Sequence, residues 1–200
     1  MDVQSPVFEE IYREYLAQLG RQWTDLALED LGVVREGSSI LVPFYGQVNR
    51  VSPEGITNPL GNKPSHARCV VLVKYLLARP KGAGPRGQWV SYRDFKDAAP
   101  YAASFAQYAE ASIARTFVGR LPELAAACGK LGGAAADLEL SYDLSLQFQP
   151  LPRLPLLMLF NDQEEGFPAA CSLLFDDSAP DYLDMECLAI LGLVLAEALK

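Results

Sequence analysis

Residues Leu154 to Asp177 read LPLLMLFNDQEEGFPAACSLLFDD and carry the clearest strand pattern in the chain. An apolar run opens it, an acidic turn follows, and a second short apolar run ends in two aspartates. Short apolar runs bounded by turn residues are typical of buried β-strands. We therefore predict strands over Leu156–Phe160 and Ala169–Phe175. If these two strands pair as a hairpin, the acidic residues of Asp162–Glu165 lie at its turn.

The residues on either side of this hairpin extend the pattern. Leu138–Phe148 alternates apolar and polar residues, and this period of two indicates a half-buried strand. The proline-rich segment PLPRLP (150–155) turns the chain between that strand and the hairpin. Asp181–Leu199 is predicted to form a closing helix.

The first two-thirds of the chain is predicted to be mainly helical. The predicted helices are Ser5–Leu19, Trp23–Leu31, His66–Ala78, Pro100–Val118 and Leu121–Leu131. The other predicted segments are a hairpin over Ser39–Val51, a loop over Ser52–Ser65, and a short strand or structured loop over Gln88–Phe95. This order of elements indicates an α+β fold, with a mostly antiparallel sheet packed by several helices. We expect residues 1–200 to form a single domain.

Charge and hydropathy exclude two classes of partner. The chain of 200 residues has a formal net charge of −8, and its 17 basic residues are scattered rather than clustered. Binding to nucleic acid requires clustered Lys and Arg, so we predict no nucleic-acid partner. The longest apolar runs are shorter than the roughly 18 residues that a membrane span needs, and the N-terminus lacks a secretory pattern. We therefore expect a cytoplasmic protein that does not bind membranes.

The cysteines and the single histidine limit the possible chemistry. The four cysteines include no C-x-x-C pair, and we interpret them as buried reduced thiols. One histidine excludes a His-rich metal site, and a Ser-His-Asp arrangement would have to use His66. His66 stands at a predicted helix start, where a surface or capping role is the alternative to catalysis or ligation. We predict no catalytic residue.

The acidic residues form two clusters around the second strand of the hairpin. The first cluster, Asp162–Glu165, is expected at the turn, and the second, beginning at Asp176 and Asp177, is expected at the opposite end of the sheet. The second cluster continues into the closing helix at Glu186, and carboxylates of this kind can hold a hard cation. Strand ends and helix caps are the alternative interpretation. The candidate metal ligands are Asp176, Asp177, Glu186 and His66.

Several other side chains are candidates for a binding site. Trp89 could line a pocket or the edge of the core. Arg153, fixed between prolines, could present its guanidinium to a ligand or pair with a nearby carboxylate. Phe167 is expected to bury its ring in a Gly-Phe-Pro turn. The full set of candidate ligand-binding residues is Trp89, Arg153, Phe167, Asp176, Tyr182 and Glu186.

A combination of short motifs, most of them in the last 50 residues, is similar to one known family. The motifs are Pro152–Pro155, Asp162–Ala169, Leu174–Asp176, Tyr182–Glu186, Gln88–Ser91 and Gly132–Gly133. Together they resemble the bacterial and archaeal family DUF3786, which has no assigned activity. Some of its members carry a ferredoxin-type iron–sulfur segment in anaerobes with corrinoid and one-carbon metabolism. The resemblance therefore implies a link to anaerobic corrinoid and iron–sulfur metabolism.

Three functions from different classes remain open at this point. The leading hypothesis is a non-catalytic domain that binds a small ligand or a partner protein. The alternative is a metal-dependent hydrolase that uses the acidic residues from Asp176 to Glu186, with His66 as base. The third is an interaction protein that forms a homodimer through an exposed sheet edge. No cofactor can be named from the residues.

Overall fold

A computed structural model describes residues 6–82, 84–136, 138 and 141–200 of the chain. The helices are α1 (Pro6–Arg21), α2 (Leu28–Leu31), α3 (His66–Leu77), α4 (Ala99–Phe105), α5 (Ala111–Phe117), α6 (Leu121–Lys130) and α7 (Met185–Ala198). Short 3₁₀ turns occupy Tyr92–Asp94 and Ala179–Asp181, and a π-helical turn, Ala106–Glu110, joins α4 to α5.

The strands form two antiparallel sheets. The first contains β1 (Val34–Glu36), β2 (Ser39–Phe44), β3 (Gln47–Ser52) and β4 (Gly55–Thr57), in that order. The second contains β5 (Trp89–Ser91), β9 (Ala170–Asp176), β8 (Leu154–Asn161), β7 (Leu144–Leu151) and β6 (Ala134–Ala135), in that order. The predicted α+β class with antiparallel strands is confirmed, although the strands divide between two sheets.

The hairpin predicted from the opening stretch is confirmed. β8 pairs with β9 from Leu156↔Phe175 to Asn161↔Ala170, and nearly every residue of β8 is buried. The first acidic cluster lies at the turn, where Glu164 and Phe167 form an isolated bridge. The second cluster begins at the far end of β9, so the two clusters lie at opposite ends of the sheet.

The tip of the β2–β3 hairpin joins the two sheets. Tyr45 and Gly46 form its two-residue turn with positive φ angles of 46° and 75°, which suits the twist of a tight hairpin. The backbone N–H of Tyr45 donates to the carbonyl oxygen of Pro150 in β7, 3.0 Å away. Its buried hydroxyl donates to the carbonyl oxygen of Leu191 in α7, 2.8 Å away. One residue thereby connects both sheets and the closing helix.

Several predicted boundaries were wrong. Helix α1 continues through Gly20, which does not adopt the left-handed backbone that commonly ends helices. The helix predicted from Trp23 is reduced to α2, although Gly32 ends it in the left-handed conformation as expected. The predicted loop over 52–65 contains β4, because its Gly55–Thr57 segment completes the edge of the first sheet. The strand predicted from Leu138 begins at Leu144 in the described part of the chain.

The buried cysteines agree with the sequence prediction. Cys69, Cys128, Cys171 and Cys187 are all buried and free. Burial raises the pKa of Cys69 to about 11 and that of Cys128 to about 12, so both thiols stay protonated near neutral pH. In the described parts of the chain, none of the helices has the length and apolar character that crossing a membrane requires.

Candidate functional site

The structure separates Phe167 from the other candidate ligand-binding residues. Phe167 lies at the β8–β9 turn and its ring is 73% exposed, so the prediction of a buried ring was wrong. Gly166 has a positive φ of 83°, and two backbone hydrogen bonds of 3.0 Å between Glu164 and Phe167 close a tight turn at this position. Asp176 lies at the other end of β9 from Ala170, and this strand length at about 3.4 Å per residue separates the two residues by roughly 20 Å. Trp89 faces Asp176 in the register between β5 and β9.

Asp176 is a buried carboxylate that organises the chain around it. It is fully buried and accepts hydrogen bonds from the backbone N–H groups of Arg86 (3.0 Å), Gly87 (2.6 Å) and Ser178 (3.0 Å). The Ser178 hydroxyl donates a further bond of 2.5 Å. Burial opposes ionisation, but these donors outweigh it and hold the pKa of Asp176 below its ordinary value. This carboxylate therefore fixes the glycine-rich segment before β5 against the end of β9.

Arg86 neutralises the next two carboxylates of the second acidic cluster. Its guanidinium Nη2 lies 2.7 Å from Asp181 Oδ2, and its Nη1 lies 3.5 Å from Asp177 Oδ1. The same residue donates its backbone N–H to Asp176. Three acidic side chains thus converge on one arginine, which lowers the negative charge available to a cation at this end of the sheet.

Arg153 binds backbone carbonyl groups rather than a carboxylate. Its Nε donates to the carbonyl oxygen of Asp30 and its Nη2 to that of Glu29, each over 3.2 Å. These carbonyl groups lie near the end of α2, where unpaired helix carbonyls favour a cation. The Arg153 backbone N–H donates to the Tyr75 hydroxyl, which in turn donates to the carbonyl oxygen of Leu31. Arg153 is thereby held in place between α2 and α3.

Tyr182 contributes a buried hydroxyl beside these charges. Its ring stacks on Tyr75 with centroids 6.1 Å apart, and the residue is 3% exposed. The hydroxyl has no hydrogen-bond partner within the described residues. Burial raises the pKa of Tyr182, while the positive charge of Arg153 acts in the opposite direction. A buried hydroxyl without a hydrogen-bond partner costs free energy of folding and is rare in proteins, so the Tyr182 hydroxyl is unusual.

Tyr182 also lines a cavity of about 300 Å³, which we name the Tyr182 groove. Three chain segments form it: α1, the end of α3, and the residues leading into α7. Its lining residues are Tyr15, Gln18, Lys74, Leu77, Ala78, Pro180, Asp181, Tyr182, Leu183 and Asp184. The groove therefore combines aromatic, apolar and charged surfaces within the volume of a small organic ligand.

A salt bridge spans the Tyr182 groove. Lys74 Nζ of α3 lies 2.5 Å from Asp184 Oδ2. Asp184 also caps α7, because its Oδ1 accepts the backbone N–H of Cys187 over 2.9 Å. Burial opposes the charge of Asp184, but the bonds from Lys74 and Cys187 outweigh it and lower the pKa of Asp184. The paired charges fix α3 relative to the start of α7.

Among the described residues, the candidate metal ligands do not form a metal-binding group with His66. His66 begins α3, near Lys63 and Glu9, whereas Lys74 lies eight residues further along the same helix, a rise of roughly 12 Å. Glu186 is exposed on the first turn of α7 and is not part of the groove lining. Across the residues that the structure describes, no group of three or more His, Cys, Asp or Glu side chains is arranged to hold a metal ion.

Sequence reasoning did not find Lys74, Tyr15, Gln18 or Arg86. Lys74 carried a usable signal, since it interrupts the nearly continuous apolar run of HARCVVLVKYLLA. A charge within a largely buried helix requires a partner, and here the partner is Asp184, 110 positions later. Arg86 lies between the predicted helix His66–Ala78 and the predicted segment Gln88–Phe95, so its convergence with three carboxylates was not predictable from spacing.

The fold and this site define a compact α+β class of protein, with two antiparallel sheets and a polar groove beside the last helix. The family model for the domain of unknown function DUF3786 matches residues 25–198, and the chain belongs to that family. The resemblance predicted from the sequence motifs is therefore confirmed. No curated protein and no solved structure matches the chain.

Proposed function

We propose that this protein is a non-catalytic binding domain whose Tyr182 groove holds a small polar organic ligand. The observation that carries the proposal is the groove itself, an open surface groove of about 300 Å³ lined by Tyr182, a predicted ligand-binding residue, and by the Lys74–Asp184 salt bridge. Aromatic and apolar surfaces with a few fixed polar groups are typical of ligand pockets.

The pairing of the charged side chains in salt bridges supports ligand binding rather than catalysis. Lys74 and Asp184 are paired with each other, and Asp181 is paired with Arg86. A nucleophile is activated by a base within hydrogen-bond reach, whereas here each of these two carboxylates is paired with a cation. The neighbouring thiol of Cys187 is buried, and burial raises its pKa well above neutrality.

A metal-dependent hydrolase at the second acidic cluster has less support. Asp176 uses its carboxylate to accept four hydrogen bonds, and Arg86 pairs with Asp177. Glu186 points to solvent on α7, and His66 belongs to the other end of α3. We therefore favour a ligand held by the groove over a cation held by these residues.

The proposal extends to partner and location. A small molecule suits the size of the groove better than a protein partner does, and the net charge of −8 disfavours nucleic acid.

We propose the cytoplasm as the location on the sequence pattern alone. The link to anaerobic corrinoid and iron–sulfur metabolism rests on the family resemblance, and it motivates purification without oxygen. Light scattering tests whether two copies of the chain form a homodimer through an exposed sheet edge.

Native mass spectrometry with matched groove variants tests the proposed function. Gln18 lines the groove and Ala17 is its exposed neighbour on α1, so Gln18→Trp fills the groove while Ala17→Trp adds the same ring outside it. We expect a bound molecule of constant mass on the 21.9 kDa chain in the wild type and Ala17→Trp, and its loss in Gln18→Trp. Equal retention in both variants, or a wild type without any bound molecule, contradicts the proposal.

A further inference from the structure

A second cavity, of about 220 Å³, lies between the π-helical turn and the edge of β9. We name it the Glu110 cavity after the carboxylate in its wall; Ser91, Arg93, Phe105 and Ser172 are among its other lining residues. It shares no lining residue with the Tyr182 groove. Binding in the Glu110 cavity can therefore be tested separately from binding in the Tyr182 groove.

The Glu110 carboxylate is half-buried and forms no salt bridge within the described residues. One of its oxygens, Oε1, accepts the backbone N–H of Leu173 over 2.9 Å. Its other oxygen, Oε2, accepts no hydrogen bond from the described residues. Arg93 in the cavity wall places its Nε 3.8 Å from Asp94 Oδ1, and its charge reaches Glu110 only at longer range. Burial has the largest effect on Glu110 and raises its pKa, while the Leu173 N–H and the charge of Arg93 act in the opposite direction.

The backbone geometry explains how Glu110 reaches this position. The N–H of Ala111 bonds to the carbonyl oxygen of Ala106, an i→i+5 bond that adds one residue to the helical turn. Such π-helical turns are rare and occur frequently at functional sites. Strand β5 ends at Ser91, which pairs with Leu174 of β9. The next residue of β9, Leu173, therefore has no partner in β5, and its N–H donates to the Glu110 carboxylate instead. The carboxylate is thereby directed onto the sheet edge and into the cavity wall.

We propose that the Glu110 cavity binds a small organic cation, with an ammonium or guanidinium group donating to the free oxygen of Glu110. The hydroxyl groups of Ser91 and Ser172 line the same cavity and can accept further N–H groups. Phe105 and Ala102 provide an apolar wall for the alkyl part of the ligand. A charge-assisted bond in a partly buried site is stronger than the same bond in water. An anion would face the half-buried carboxylate and is disfavoured.

Solution NMR of the full chain tests this site directly, because the Leu173 amide bonded to Glu110 is a built-in reporter. Methylguanidinium and ethylammonium are the probes, and acetate and acetamide are controls of similar size. We expect the cations to shift the Leu173 amide signal saturably, and acetate and acetamide to leave it unchanged. Glu110→Gln keeps an acceptor for Leu173 but removes the charge, so binding should weaken at least about tenfold.

Two further variants make the outcome decisive. Glu123→Gln removes an exposed carboxylate on α6 that pairs with Arg120, and cation binding should be unchanged in it. Ala106→Met fills the cavity without altering the carboxylate, and it should abolish the Leu173 shift. No saturable shift in the wild type, or equal affinity for the cations in Glu110→Gln, overturns the proposal.

Discussion

The carboxylate of Asp176 accepts the backbone N–H of Gly87 over 2.6 Å, although the two residues are 89 positions apart in the chain. The bond joins the end of β9 to the segment that leads into β5, and Arg86 next to Gly87 carries the guanidinium that pairs with Asp181. One buried carboxylate therefore positions both the edge strand and the arginine that neutralises the second acidic cluster.

Asp176→Asn should destabilise the protein by about 3 kcal/mol. The NH₂ group of the asparagine would face backbone N–H groups that now donate to a carboxylate, and two donors cannot bond to each other. Urea unfolding measures the change as a loss in the free energy of unfolding. Glu186→Gln is the matched control, since Glu186 is exposed, and its effect should stay within about 0.5 kcal/mol. An effect of Asp176→Asn as small as that of the control would contradict the role assigned to this carboxylate.

The pH dependence of stability should carry the signature of Asp176. Its pKa is lowered in the folded protein despite burial, since the donors from Ser178, Arg86 and Gly87 favour the charged form. The stabilisation is therefore complete above the unfolded-state value of about 3.9 and is lost as pH falls through the lower folded value. The stability difference between the wild type and Asp176→Asn should shrink as the pH falls from about 5 to about 3. A difference that stays constant over this range would show that the charge is not responsible.

Gly192→Ala should destabilise the protein although alanine favours helices. A Cβ atom at Gly192 would clash with Cε2 of the Phe105 ring, so α7 and the end of α4 would have to separate. Overpacking of this kind costs about 1–3 kcal/mol, more than the gain of about 1 kcal/mol in helix propensity. Gly129→Ala in α6 is the control, because a Cβ there meets nothing within 4 Å. Thermal unfolding should show a lower Tm for Gly192→Ala alone.

Tyr45→Phe should weaken the junction between the two sheets. The change keeps the ring that packs at 5.4 Å from Phe44 but leaves the Leu191 carbonyl without its donor. The expected loss is about 1–2 kcal/mol in the free energy of unfolding. Tyr101→Phe, at an exposed position, should have no measurable effect. Equal stabilities of the two variants would mean that the buried hydrogen bond contributes little.

The sequence predicted the parts of the fold that have strong patterns. The apolar runs before and after the acidic turn gave β8 and β9 in their correct pairing. Elements of three or four residues, such as α2, β1 and β4, were missed or misplaced because they are too short to show a period. Their formation depends on neighbours, since β4 exists only as the partner of β3.

The candidate site was predictable in part. Tyr182 was selected at the start of the predicted closing helix, and it does line the groove. Lys74 and Gln18 were not selected, because their positions in the groove depend on how α1 and α3 pack against the start of α7. Glu110 carried no local signal at all, since a π-helical turn within an alanine-rich helix follows from packing and leaves the composition unchanged.

Hydrogen–deuterium exchange tests the central claim, that the Tyr182 groove holds a ligand, most directly. The protein is purified without oxygen, and one half is stripped of small molecules by unfolding in urea, gel filtration and refolding. We expect slower exchange at residues 74–78 and 180–184 in the unstripped half, with the exchange of the β2–β3 hairpin unchanged. Identical exchange of the two halves across both segments would contradict it.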